Sequence, residues 1–231
     1  MIDSFSLVIP SFNKFSLLKE TINKILENFK EVEVIVVDDG SKDNTFKVKE
    51  IFKDKIIYLK NEINQGKGES LRKGFEKATK EFIIFTDDDL PYGIEGIKKV
   101  LKEFEDEKID IVIGKRKQFY NDVFYKKLLR PFLYLFLKII LGLNFSDTQC
   151  GLKGFKKESG KRLFRLSFIK GFAIDVEILY LAKKLNYKVK EVEVSQFDFS
   201  KSTFKLKGII LMFFDILKIK FHHYDFKKYQ N

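Results

Sequence analysis

Phe82-Ile83-Ile84-Phe85-Thr86-Asp87-Asp88-Asp89-Leu90-Pro91 is the stretch that decides the fold. Four apolar residues, too few for a helix, run straight into three carboxylates. An apolar run of this kind reads as a strand buried on both faces of a parallel sheet, with its carboxyl end at a ligand site. The same grammar repeats upstream and downstream. Phe5–Ile9, Val32–Val37, Ile56–Leu59 and Ile109–Ile113 are short β-branched or aromatic runs, and Val32–Val37 also ends in acid, at Asp38-Asp39-Gly40-Ser41. Between these runs the apolar spacing is helical: Leu17, Leu18, Ile22, Ile25, Leu26 and Phe29; then Leu71, Phe75 and Ala78; then Ile94, Ile97, Val100, Leu101 and Phe104. Ser41 or Asp43 can cap a helix over Asn44–Phe52. Alternating strands and helices predict an α/β fold: a Rossmann-like, mainly parallel sheet with helices on both faces, wound right-handed.

Beyond residue 115 the pattern changes. Tyr120–Asn144 is rich in Phe and Leu, with Lys126, Lys127, Arg130 and Lys138 interspersed. Gly151–Phe155 reads as a short strand, Phe172–Leu185 as a helix and Val189–Val194 as a strand. Phe204–Phe221 is amphipathic, setting Leu206, Ile209, Ile210, Phe213, Ile216 and Leu217 against Lys205, Lys207, Lys218 and Lys220. With no repeat and no Pro/Ser-rich linker, residues 1–221 read as one domain in two halves, 1–115 and 116–221. Residues 222–231 read as a polar tail.

Charge follows the same division. The 231 residues carry a net +11, but residues 1–115 hold 20 basic and 23 acidic side chains, and residues 116–231 hold 24 and 10. A net −3 half joined to a net +14 half points to two surfaces with different partners, not to a uniformly basic nucleic-acid binder. Ten of the 26 Phe fall in the first part and 16 in the second. The lone Cys150 excludes an internal disulfide and a Cys-based zinc site, and suits a reducing compartment. The start, MIDSFSLVIPSFNK, lacks the basic and long apolar regions of a signal peptide. The uncharged apolar stretches Pro131–Leu137, Ile139–Ser146 and Gly208–Phe214 fall short of the ~20 residues needed to span a bilayer.

Carboxylates gathered at strand ends repel one another unless a cation neutralises them. Oxygen ligands of this type suit Mg2+ or Mn2+ completed by water and phosphate oxygens. Asp87 and Asp89, at i and i+2, can aim at one such ion. Phosphate-cradling motifs of the GxGxxG and GxxxxGK[ST] types are absent, and Gly66-Lys67-Gly68 is a short, incomplete match. Serine-nucleophile and zinc-hydrolase motifs are also absent. Pro10-Ser11-Phe12-Asn13-Lys14 stands where a sugar nucleotidyltransferase would carry a Gly-rich loop. His222 and His223 sit within the basic tail, with no catalytic pattern around them.

The ordered segments LVIPSFNK, VIVVDDGSKDNT, NQGKGESLRKGFEKA, FTDDDLP, DIVIGKR, DTQCGLKGF and GFAIDVEILYLAKKLNYKVKEVEV resemble the inverting family 2 glycosyltransferases of GT-A fold. Within them they are similar to the polyprenyl-phosphate sugar transferases, the dolichyl-phosphate glucosyltransferases and mannose synthases. The likeness covers about residues 5–220, and Asp147-Thr148-Gln149-Cys150-Gly151 leans toward the glucosyltransferase branch.

The resemblance implies a metal-dependent transfer of a hexose, glucose favoured, from a UDP- or GDP-linked donor to a polyprenyl phosphate, dolichyl or undecaprenyl. By position it implies that Pro10 and Phe12 pack on the nucleotide. Asp38 and Asp39 hydrogen-bond the base or ribose. Asp87 and Asp89 hold Mg2+ or Mn2+ on the donor diphosphate, with Asp88 beside them in the donor site. It places Arg116 near the transferred groups, Asp147 on the acceptor side as a catalytic or positioning acid, and Lys201 near the lipid phosphate; if that phosphate is the acceptor, a basic set such as Arg130 and Lys201 is expected to hold it. Residues 1–115 become the nucleotide-sugar half, and 116–221 the acceptor half. The departures are Lys14 where the family has an acid, Phe12 for Tyr, a third carboxylate at Asp88, and Pro91 where some relatives place a metal ligand.

From pattern alone, Tyr120–Asn144 and Phe204–Phe221 could pack on each other as core or as a dimer surface. With the resemblance they read as in-plane helices on an anionic leaflet, with the protein peripheral on the cytoplasmic face. The competing classes are a family 2 enzyme with a hydroxyl acceptor in polysaccharide or glycolipid synthesis, and a non-catalytic basic lipid-surface module. Aromatic residues at helical spacing, buried rather than displayed, argue against nucleic acid.

Overall fold

The computed structural model describes residues 2–117, 124–196 and 206–224, with the side chains of 124–130 and 206–210 excepted. A seven-stranded sheet forms the centre. Its strands are β1 (Ser6–Ser11), β2 (Glu33–Asp38), β3 (Ile56–Lys60), β4 (Phe82–Phe85), β5 (Ile111–Arg116), β6 (Lys153–Lys156) and β7 (Val189–Val194). The spatial order is β3-β2-β1-β4-β6-β5-β7. All pairings are parallel except those of β6, which runs antiparallel to both β4 and β5. The mainly parallel architecture expected from the apolar runs is therefore present. A return strand completes it, drawn from the second half and inserted into the first.

Alternation along the strands explains the double covering. Val8, Ile35, Val37, Ile83, Phe85, Ile111 and Ile113 face one core, while Leu7, Ile9, Val34, Val36, Ile84 and Val112 face the other. The second core is closed by α1 (Phe15–Asn28), α2 (Lys47–Phe52) and α4 (Gly93–Glu103), through Leu18, Ile22, Ile25, Val48, Ile97 and Val100. The first is closed by α3 (Lys67–Lys77), α6 (Lys157–Leu166) and α7 (Ile174–Lys184). Its centre is Phe75, packed against Phe85, Phe155 and Phe164.

The capped helix after β2 differs in detail. Asp43 accepts a hydrogen bond from the Thr45 N–H, but the first turn, Asn44–Phe46, is a 3-10 turn, and α2 begins only at Lys47. The same carboxylate accepts from the Phe15 N–H, so one side chain ties the starts of two helices together.

α5 (Phe124–Leu141) and α8 (Leu206–His222) complete the molecule. They pack on each other through Phe132, Phe136 and Phe213. Leu137, Leu141, Met212, Ile216 and Ile219 turn inward and join the first core. The opposite faces leave Leu135, Ile139, Leu211, Phe214 and Phe221 exposed, the last at 75%. The helices thus pack on each other, as one of the two sequence readings has it, and they also present an apolar outer face. Among the described residues no helix is long and apolar enough to cross a membrane.

The polar tail expected from His222 onward starts later. His222 ends α8, and His223 is fully buried against Glu177. The sequence shows only a His pair among basic residues; its apolar pocket is assembled from distant segments.

Candidate functional site

The carboxyl ends of β1, β2 and β4 lie side by side, because the three strands are adjacent and parallel. This brings Pro10, Phe12, Asp38, Asp39 and Asp87–Asp89 to one edge. Pro10 is half-buried at the end of β1, and Phe12 leaves its ring 41% exposed just beyond it. Asn13 follows with φ of 54°. Its N–H donates to Ser41 Oγ and its side chain accepts from the Lys42 N–H, which locks the loop after β1 to the loop after β2.

Asp38 and Asp39 are buried and heavily bonded. Asp38 accepts from the Ser41 N–H and the Tyr58 hydroxyl. Asp39 accepts from the Asn61 side chain and from the N–H groups of Gln65 and Gly66. The pair thereby shapes the loop that leads into α3.

The three acids after β4 divide their work. Asp88 accepts from Ser11 Oγ at 2.8 Å, and its carbonyl accepts from Thr21, which fastens the turn to β1 and α1. Burial first, then the neighbouring charges of Asp89 and Asp87, push the Asp88 carboxyl up to about 6, against the pull of the Ser11 hydrogen bond. Asp87 pairs with Lys67 Nζ at 2.9 Å. The negative charge that Asp89 and Asp87 crowd around Asp88 is an excess which a cation relieves. Asp87 and Asp89, hard oxygen donors on one tight turn, therefore suit a divalent ion such as Mg2+ or Mn2+. Among the described residues no three His, Cys, Asp or Glu side chains are arranged to hold one metal ion together, so most of such an ion's coordination would come from water and ligand.

Sequence marks Lys67 only as part of an incomplete phosphate-loop match. It starts α3, where its ammonium lies 2.9 Å from Asp87 and 3.4 Å from Asp175. Asp175 in turn bonds the fully buried Lys153 at 2.5 Å. Both ammonium groups approach the Phe85 ring, at 5.3 and 5.4 Å from its centroid. Burial acting alone would raise the Asp175 carboxyl; the Lys153 and then the Lys67 charge bring it below the usual range. Sequence reasoning misses this alternating chain of four charges. The available signals are an acid inside the apolar run of α7 and a lysine on a short strand.

Arg116 and Asp147, expected near the reaction centre, are brought together. Arg116 ends β5 and grips Asp147 with two parallel hydrogen bonds, Nε to Oδ2 at 2.6 Å and Nη2 to Oδ1 at 2.7 Å. Burial would raise the Asp147 carboxyl, but the hydrogen bonds and charge of Arg116 lower it. The loop from Asp147 continues to Gly151, whose N–H donates to the Tyr92 hydroxyl. Gly151 also packs directly on the Asp87 carboxylate. Of the acceptor-phosphate residues expected from sequence, Lys201 lies outside the described residues, as does the Arg130 side chain; the Arg130 backbone belongs to α5.

Comparison with known proteins agrees with this layout. The dolichyl-phosphate beta-glucosyltransferase of Dictyostelium discoideum is 29% identical over 242 residues, spanning 94% of this chain and 74% of the relative. A UDP-N-acetylglucosamine–dolichyl-phosphate N-acetylglucosaminyltransferase of Methanococcus voltae is 30% identical over 210 residues, with 81% and 83% covered. Among solved structures, glucosyl-3-phosphoglycerate synthase of Mycobacterium tuberculosis, in complex with Mn2+, UDP and its product, superposes with a TM-score of 0.70. It is 19% identical, and the match covers 94% of this chain and 78% of that one. The same enzyme has been solved with Mg2+ and UDP. Residues 6–164 match the glycosyl transferase family 2 domain, so strand order, acidic edge and sequence agree that this chain belongs to glycosyltransferase family 2.

Proposed function

We propose that the chain transfers a hexose, glucose by preference, from a nucleotide-sugar to a polyprenyl phosphate at a membrane surface. One observation carries the choice of acceptor. Asp147 and Asp175, two buried acids beside the site, are both held by cations and lie below the ordinary carboxylate range, while Asp88, whose carboxyl is pushed up to about 6, is tied to Ser11 Oγ on β1. A carboxylate stabilised in this way is a poor base, and a hydroxyl acceptor needs one. A phosphate monoester, with a second pKa near ~6, is already ionised at neutral pH and needs none.

In this reading a phosphate oxygen attacks the anomeric carbon as the bond to the donor diphosphate breaks. The configuration inverts, and the nucleoside diphosphate leaves with the electron pair. Phe12 and Pro10 seat the base, with Asp38 and Asp39 behind the loop that receives the ribose. Asp87 and Asp89 would hold Mg2+ or Mn2+, which supplies charge neutralisation at the leaving diphosphate. Lys67 stands where it can share that charge. Arg116 lies near the transferred sugar, oriented by Asp147, so that Asp147 positions rather than deprotonates. Arg130 and Lys201 are proposed to hold the acceptor phosphate. The exposed apolar faces of α5 and α8, amid a net +14 half, suit peripheral attachment to an anionic, cytoplasmic leaflet.

The test is a transfer panel. Purified protein with Mg2+ or Mn2+ is given UDP- and GDP-linked hexoses, and either a short polyprenyl phosphate or soluble sugar and glycerate acceptors. Transfer to the lipid phosphate is expected. Transfer to hydroxyl acceptors with none to polyprenyl phosphate overturns the proposal.

A further inference from the structure

Glu177, on α7, is fully buried. A carboxylate in that setting is costly unless donors surround it. Its donors are the Phe168 N–H at 3.1 Å, the Ile169 N–H at 2.9 Å, and His223, whose Nε2 lies 2.8 Å from Oε1. His223, also fully buried, follows directly on α8, and its ring lies near Phe168 and Tyr180. The pair therefore ties the end of α8, through α7, to the segment between α6 and α7.

That segment is held from its other side by α3. The Lys170 carbonyl accepts from the Gly68 N–H at 2.7 Å. Arg72 donates to the Ile169 carbonyl at 2.9 Å and to Ser167 Oγ at 3.2 Å. The backbones meet too closely to admit side chains. A Cβ on Gly66 would lie 2.4 Å from the Lys170 carbonyl oxygen, and one on Gly68 would lie 2.2 Å from that of Ile169. Lys67 sits between those two glycines. Its backbone is thus registered against residues 169–170, and its ammonium against Asp87.

We propose that Glu177 and His223 are positioning residues for the donor site. They fix the segment after α6, which fixes the first turn of α3 and with it the Lys67 ammonium beside Asp87. The inference rests on the reading of Asp87, Asp89 and Lys67 as the donor-diphosphate end. Neither Glu177 nor His223 touches that end; both act through backbone hydrogen bonds. A shift of about 1 Å in a positioned group is enough to cost up to ~100-fold in rate.

The experiment uses the full chain and whichever nucleoside diphosphate, UDP or GDP, it binds with Mg2+ present. His223→Leu, which fills the pocket without a hydrogen bond, and Glu177→Gln, which turns an amide donor toward backbone N–H groups, are expected to raise the nucleotide Kd roughly tenfold. The KM for polyprenyl phosphate should stay unchanged. His223→Gln, which restores a donor to Glu177, should recover most of the affinity. Folded His223→Leu and Glu177→Gln variants with parental nucleotide Kd overturn the proposal. If those variants do not fold, the wild-type chain still decides. Linkage is reciprocal, so nucleotide binding must slow hydrogen exchange at the Phe168 and Ile169 amides; unchanged exchange there overturns the inference. Asp89→Ala separates the two layers. Loss of nucleotide binding in Asp89→Ala, with none in His223→Leu, rejects the positioning role alone. Parental binding in Asp89→Ala removes the site reading and the inference together.

Discussion

Gly151 has no room for a side chain, because a Cβ there would lie 1.9 Å from Asp87 Oδ2. Gly151→Ala should therefore push Asp87 aside while the sheet stays intact. We expect kcat/KM to fall by roughly 100-fold with little change in Tm, measured by transfer assay and thermal melting. Asp147 makes a different prediction, because its role is to neutralise Arg116 inside the protein. Asp147→Asn leaves a buried guanidinium without its carboxylate, at a cost of about 3 kcal/mol at pH 7. The sign with pH follows from the lowered carboxyl. Its contribution is complete above the unfolded value near ~3.9, and is lost as pH falls through the lower folded-state value. Urea melts should show the gap between parent and variant narrowing as pH falls below ~4. Residues of this scale are unequally legible in sequence. Asp87 and Asp89 announce themselves by following a strand. Lys153 and Asp175 are partners across 22 positions of chain, and nothing local marks a lysine that will be buried.

The helices carry their own lesson. In α8, Phe213 and Phe214 are neighbours in sequence with opposite fates: Phe213 packs against Phe132 and Phe136, while Phe214 is 59% exposed. Phe214→Asp and Phe221→Asp should leave Tm nearly unchanged and each weaken co-flotation with anionic vesicles about tenfold, the worth of one apolar side chain withdrawn from lipid. Phe213→Asp should instead lower Tm, because it places a carboxylate between two rings. Parental flotation by the two exposed-face variants would remove the membrane reading of that face. Most elements are visible as periodicity, α6 excepted. Its inward residues are Ser159, Gly160, Leu163 and Phe164, only two of them large and apolar. Gly160 is small because Phe155 and Phe75 press on it, so the side chains that fill this face come from the sheet and α3 instead of the helix. The sidedness of α6 is written in its charges instead, with Glu158, Arg162 and Arg165 on the exposed face, and a search for apolar residues alone passes over it.

At the scale of the whole chain, the −3 and +14 halves predict a salt response that separates two activities. Raising NaCl from low to physiological strength should weaken attachment to anionic vesicles steeply, since exposed charges are screened beyond about 8 Å. Nucleotide affinity, which the proposed site assigns to partly buried groups at the sheet edge, should change far less; equal sensitivity of the two would contradict the division. The halves are nonetheless not separable pieces. β6, at Lys153–Lys156, runs between β4 and β5, and both of its neighbours belong to the first 116 residues. During synthesis, β4 and β5 emerge with an empty lane between them, and each presents an unpaired, apolar edge until the ribosome has delivered some forty residues more. A nascent chain in that state is at its most exposed to edge-to-edge aggregation. The cell's difficulty with this protein should thus fall in one window of translation, after β5 and before β6, and a release of the chain inside that window should yield inclusion bodies, not a smaller enzyme.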